Sequence, residues 1–333
     1  MPLLSGGAWR ILVRVAQYAL VLLVAVSLNF AIPRLAPGDP IDYLIPSEQI
    51  ATITPEQRDR ILAQFGLEKP LLEQYWLYLA GISQGDLGYS VQTGRPVTDT
   101  LLERLPWTIV LVGGAIVLSL VVGAGAGFFA AARRGGRTDA GGLALFMAVD
   151  SMPPFWIGML LLVLFSGYLQ ILPVYGALPE TDQALGLARL GELAERLVLP
   201  LVTLSLVRVG WLFLIARSSL AGELSEDYIT MAEAKGLSRR RVVIGHGIRN
   251  ALLPLVTAVA VEAGTLVGGA TVVETVFSYP GLGRLIYESV LSRDYPVLQG
   301  AFLLMAVGVI AANLLADLLY PLIDPRVRTE GAT

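Results

Sequence analysis

One histidine and no cysteine occur in this chain of 333 residues, and that scarcity narrows the chemistry at once. His246 is followed by Gly247, so no His-Glu-x-x-His pair of zinc ligands exists. Disulfides, thiolate metal sites and cysteine nucleophiles are excluded outright. Neither Lys69 nor Lys235 closes a phosphate-cradling Gly-x-x-x-x-Gly-Lys-Ser/Thr loop, and no Gly-x-Ser-x-Gly nucleophile turn is present. Asp150, Glu262, Glu274 and Asp317 lie in or beside apolar runs, which keeps a membrane-embedded enzyme with paired carboxylates as an alternative. They are spread over separate segments, which disfavours a shared acid–base site. The sequence therefore predicts no catalytic residue, no cofactor bound by this chain and no metal site.

Two other groupings carry physical weight. Arg208 and Glu262 each fall in the middle of an apolar run, where a lone charge costs on the order of 3 kcal/mol. They are expected either to contact each other or to line a water-filled path. The second grouping is a charged island, Asp227 to Arg241, followed by His246 to Asn250 and flanked by apolar runs. Ser225 can cap a helix whose first turn holds Glu226 and Asp227, with Lys235 in its last turn and Gly236 supplying a left-handed stop. A second, basic helix is predicted from Ser238 through Arg249. Farther on, Val273 to Gly283 is read as a tight turn folding back, with Glu274 and Pro280-Gly281-Leu282-Gly283 at its centre, or as an ordinary connector.

These residues need elements to hold them. With 55% hydrophobic and 15% charged residues and a mean hydropathy of +0.66, the chain reads as an all-α polytopic membrane protein. Six apolar stretches are long enough to cross a bilayer: Ile11 to Ile32, Trp107 to Ala132, Leu143 to Leu169, Leu197 to Ala216, Ala251 to Val273 and Val297 to Leu319. None alternates with period two, which favours a helix bundle over a barrel. With the N-terminus inside, inner flanks hold thirteen Arg and Lys residues against four in the two short outer loops. Both termini and the charged island are thus expected in the cytoplasm. The formal charge of -3 gives no reason to expect nucleic acid.

The first apolar run is read as a retained anchor, because no small-x-small cleavage site precedes Pro33. The long loop after it carries its own helix signals. Thr54-Pro55-Glu56-Gln57 is a capping box with Pro at the first helical position and Gly66 as the stop. Pro70 to Ala80 and Pro96 to Leu105 read as two further short helices. Tyr75, Trp76, Tyr78 and Trp107 suit the headgroup level, so the loop is read as a cap on the bilayer or as a contact for an external partner.

Motifs in order along the chain then resemble those of permease subunits of ABC importers, specifically the first permease of the dipeptide/oligopeptide/nickel family. They are Ala36-Pro37-Gly38-Asp39-Pro40, Gly85-Asp86-Leu87-Gly88, Arg104-Leu105-Pro106, Pro154-Phe155-Trp156-Ile157-Gly158, Asp227-Tyr228 with Ala234-Lys235-Gly236-Leu237, Arg249-Asn250-Ala251-Leu252-Leu253-Pro254, Val273-Glu274-Thr275-Val276-Phe277 with Pro280-Gly281-Leu282-Gly283, and Asp324-Pro325-Arg326. The family's cytoplasmic Glu-Ala-Ala loop has Thr230 here where its Glu is expected. The resemblance implies a type I importer permease fold: a first span over 9–32, an extracytoplasmic helical loop over 33–105, a five-helix core over 106–321 containing a coupling loop at 219–249, and a cytoplasmic tail over 322–333. It implies half of an import path for peptides, with nickel or another small solute as the alternative. The implied partners are a second permease, two ATP-binding ATPase subunits and an extracytoplasmic binding protein, in a bacterial or archaeal cytoplasmic membrane. Implied contacts to the ATPase are Asp227, Tyr228, Ala232, Glu233, Ala234, Lys235, Gly236 and Arg239, and Arg208, Glu262 and Glu274 are the implied polar residues of the pore.

Overall fold

A computed structural model describes residues 6–35, 54–64, 67–174 and 187–323. Their regular structure is helical, apart from one isolated bridge between Tyr89 and Pro96. The helices are α1 (Gly6–Leu35), α2 (Pro55–Gln64), α3 (Leu71–Ser83), α4 (Val97–Ala132), α5 (Arg137–Asp150), α6 (Pro154–Tyr168), α7 (Leu187–Glu223), α8 (Asp227–Ala234), α9 (Arg239–Val242), α10 (Arg249–Val276), α11 (Leu282–Ser292) and α12 (Tyr295–Ile323). Short π-helical turns lie at Leu120–Ala124 inside α4, at Leu162–Tyr168 closing α6, and at Val243–Ile248 between α9 and α10.

Among the described residues, four helices are long and apolar enough to cross a membrane, or five if α5 and α6 form one broken span. The expected third span, Leu143 to Leu169, is not one straight rod, because α5 and α6 meet at 99°. Pro153 and Pro154 explain the break: each lacks an N–H for the helical ladder, and each bars its predecessor from helical geometry. The expected fifth span falls on α10, whose side chains are only partly among the described residues. Pro96 to Leu105 is not a separate helix but the first turns of α4, which runs on through Pro106. The reverse occurs at α11, where the sequence reading placed only a short outer loop. Its Leu282, Leu285, Ile286 and Ser289 are buried at the i, i+3, i+4, i+7 spacing of an amphipathic helix.

The chain divides into two compact units, Met1–Pro106 with Arg284–Ile310, and Trp107–Gly283 with Ala311–Thr333. In the first, α2 begins with the expected capping box, Gln57 N–H donating to Thr54 Oγ1 (3.3 Å) and Thr54 N–H to Gln57 Oε1 (3.0 Å). The α3 helix lies against the C-terminal half of α1: Tyr75 and Ser27 share a hydroxyl bond of 2.7 Å, and Asn29 donates to Tyr78 Oη at 3.1 Å. Those two tyrosines therefore pack on Phe30, while Trp76 faces outward. Asn29 also donates to the Gln299 carbonyl of α12 (2.7 Å), and Gln299 returns a bond to the Asn29 carbonyl (2.9 Å). Asp294 accepts from Ser90 Oγ (2.5 Å) and Val91 N–H (3.2 Å), anchoring the Gly88 to Val97 loop at the start of α12.

In the second unit, α4 and α7 approach so closely that a Cβ on Gly123 would stand 2.7 Å from the Val209 carbonyl, and one on Gly127 2.5 Å from that of Phe213. Glycine four residues apart is what lets two membrane helices touch backbone to backbone. At one end of this pair, Arg217 of α7 forms a two-pronged ion pair with Asp139 of α5, at 2.6 and 2.8 Å. Asp139 also accepts from the Gly135 N–H at 3.0 Å.

Candidate functional site

The charged island folds as the sequence leads one to expect, with local corrections. α8 ends in a Schellman motif: Gly236 N–H reaches the Glu233 carbonyl (2.9 Å) and Leu237 N–H the Ala232 carbonyl (3.4 Å). Gly236 sits at φ +81°, the left-handed conformation that only glycine adopts without penalty. The Lys235 backbone is the C-cap rather than part of the last turn, and the N-cap is Glu226, not Ser225. The Ser225 hydroxyl instead bonds back to the Gly222 carbonyl at 2.6 Å.

One face of α8 is apolar and turned inward. Ile229 and Ala232 are buried with Val242 of α9, and Leu224 and Leu237 pack around them. Ala232 is thus a packing residue of the loop and not an exposed contact. The opposite face is open: Asp227, Tyr228, Met231, Glu233, Ala234 and Lys235 are exposed, as are Gly236 and Arg239 to Arg241 beyond it. Met231, at 60% exposure, is an apolar side chain standing free among charges, a feature that charge patterning had not singled out. No protein atom lies within 4 Å of a Cβ built on Gly236, so the space beside it is open.

The loop is tied to the helices on either side. Tyr228 Oη donates to the Glu223 carboxylate at the end of α7 and accepts from Asn250 Nδ2 of α10 at 3.0 Å. Burial and the neighbouring carboxylate push the phenol above its usual range, so it stays protonated. Ser219 Oγ donates to the Ala251 carbonyl at 3.0 Å, and a Cβ on Gly247 would meet Leu220 at 2.9 Å. The ends of α7 and α10 are therefore in direct contact.

The second sequence-predicted site is placed differently. Glu274, near the end of α10, is fully buried and accepts from Thr108 Oγ1 of α4 at 2.7 Å. The same Thr108 oxygen accepts from the Leu282 N–H at 2.8 Å. Tyr279 N–H caps the Glu274 carbonyl (2.7 Å), and Tyr279 Oη donates to the Trp107 carbonyl (3.0 Å). A Cβ on Gly281 would fall on the Glu274 carboxyl itself, and one on Gly283 would stand 2.5 Å from Thr271 Cα. Val273 to Gly283 is a turn folded back and packed on α4, and Glu274 is the post that holds it. Trp107 packs edge-on against Tyr279, so it too is part of this turn.

Arg208 is half-buried in the middle of α7. The side chain of Glu262 lies outside the described residues, as do the Ala36 to Pro40 motif, Gly66 and Asp324 to Arg326. Among the described residues, no group of three or more His, Asp or Glu side chains could hold a metal ion.

Comparison with known proteins covers most of the chain. Residues 123–329 match a family model described as "Binding-protein-dependent transport system inner membrane component", and residues 8–112 match the corresponding N-terminal model. The chain is 37% identical over 318 residues to the dipeptide transport system permease protein DppB of Escherichia coli strain K12, covering 90% of this chain and 93% of that one. It is 37% identical over 317 residues to the di/tripeptide permease DppB of Pseudomonas aeruginosa, covering 91% and 94%. A putative peptide permease of Brucella abortus is 37% identical over 320 residues, covering 96% and 99%. The fold is similar to a chain of the inward-facing MetNI methionine ABC transporter, with a TM-score of 0.56 at 16% identity, covering 68% of this chain and 96% of that one.

Proposed function

This chain belongs to the inner-membrane components of binding-protein-dependent transport systems, the permeases of ABC importers, and from that membership we propose that it forms half of an import path for peptides. It is a multi-pass membrane protein with the ABC-importer permease fold, it is not an enzyme, and ATP is hydrolysed by partner subunits. The observation that carries the peptide reading is identity of 37% over nine-tenths of the chain to a dipeptide permease.

In this reading the permease has six spans with both termini in the cytoplasm. It pairs with a second, homologous permease, receives solute from an extracytoplasmic binding protein and engages two ATPases. The exposed face of α8, with Asp227, Tyr228, Glu233, Ala234 and Lys235, Gly236 behind it and Arg239 beyond, enters the ATPase surface. Ala232 supports that face from beneath. Because α8 is packed on Val242 and lies between α7 and α10, its displacement moves those helices and alternates the access of the path. Arg208 and Glu262 serve the path as a structural ion pair or as part of its lining, whereas Glu274 shapes its outer end by holding the folded-back turn.

The test is reconstitution of the chain with its partner permease, ATPases and binding protein in proteoliposomes. ATP-dependent uptake of a labelled dipeptide is expected. A binding protein that retains a different class of solute, with no peptide uptake, would overturn the peptide reading and leave the permease assignment intact.

A further inference from the structure

The tie at Tyr228 is more than a surface bond, because a single oxygen joins three helices. It donates to Glu223, the last residue of α7, and accepts from Asn250, the second residue of α10. Of the three groups in the tie, the hydroxyl performs both roles at once: the carboxylate only accepts and the Asn250 amide nitrogen only donates. The far end of α8 is already secured by Leu237 and Val242. Near its start the only apolar anchor is Ile229, with Leu224 beside it, so the hydroxyl supplies the remaining fixed point.

We propose that the Glu223–Tyr228–Asn250 tie makes α7, α8 and α10 move as one body, so that these are positioning residues that convert displacement of α8 into movement of the transport helices. The proposal rests on α8 being the coupling helix. It assigns the transmission of movement to the bonds that Tyr228, itself exposed on the open face of α8, makes through its hydroxyl to Glu223 and Asn250 on the neighbouring helices. Without the tie, α8 pivots about Leu237 and Val242 when pushed, and part of each ATPase cycle is spent on that pivot.

The readout is solute imported per ATP hydrolysed by the complete reconstituted transporter. Tyr228→Phe keeps the ring and loses both bonds; Asn250→Leu loses one from the α10 side, at a half-buried position away from the docking face. Each is expected to lower the ratio, Tyr228→Phe by about tenfold, the effect of two bonds of ordinary strength. Glu223→Gln keeps an acceptor for the phenol and retains the ratio. An unchanged ratio in Tyr228→Phe, or a fall confined to Tyr228→Phe with Asn250→Leu unaffected, overturns the tie; the latter marks Tyr228 as a docking contact only. Met231→Arg, on the open face, separates this from failure of the coupling reading. If Met231→Arg imports normally, α8 is not the coupling helix; if it stops import while Tyr228→Phe does not, only the tie is wrong.

Discussion

Thr108 shows how much one side chain can hold. Its hydroxyl donates to buried Glu274 and accepts from the Leu282 N–H, so Thr108→Val leaves two buried polar groups without that partner. At about 0.5–1.5 kcal/mol for each lost bond, the variant is expected to unfold several degrees lower in a thermal melt of the detergent-purified subunit, whereas Thr108→Ser stays near wild type. Gly236 poses a different question, since the space beside it is open. Gly236→Ala is expected to cost only the left-handed strain, roughly 1 kcal/mol, and to leave uptake measurable. Gly236→Leu is expected to abolish uptake at normal membrane abundance, because its bulk meets the docked ATPase. Equal uptake in the two variants would show that nothing docks there. Gly236 was legible in the sequence because a helix stop is a local property. The bond of Glu274 to Thr108 was not legible, because the two residues stand 166 positions apart.

At the scale of elements, the capping box at Thr54 and the glycine stop at Gly236 were read correctly, and errors arose where a tertiary contact overrode a local signal. Pro96 and Pro106 both suggested an interruption, yet α4 runs through Pro106 as one helix. Pro154 was quoted as the start of a motif, but a sum of hydropathy over Leu143 to Leu169 is blind to a bend of 99°. The α11 helix was missed because Pro280, Gly281 and Gly283 at its start drew attention to the turn, while the spacing of Leu282, Leu285 and Ile286 carried the signal that would have revealed it. Between elements, the Arg217 pair with Asp139 is the firmest polar link from α5 to α7; side-chain exposures are 22% and 5%. Removing one partner strands a charge, so Asp139→Ala is expected to lower the unfolding temperature of the subunit, with Asp139→Ala/Arg217→Ala milder than the single change. Thermal unfolding of both variants checks the order; a double variant no better than the single one would mean that the pair adds little.

For the whole molecule, family membership was legible because its motifs are spread along the entire length, but the function is completed by other subunits. The purified chain is expected to hydrolyse no ATP by itself and to support solute-stimulated hydrolysis only when the ATPases are added, as a phosphate-release assay would show.

The glycine surface of α4 also has a consequence in time. Gly123 and Gly127 leave a bare groove filled by the α7 backbone around Val209 and Phe213 and by the Cβ atoms of Leu212 and Ala216, and α7 is made well after α4. At about 5–20 residues per second, a nascent α4 waits on the order of ten seconds for its partner. During that interval the groove is lined by lipid or by the insertion machinery. A bulky residue at Gly127 should therefore betray itself first as a shortfall in newly made, correctly inserted protein, with degradation beginning before any transporter has assembled.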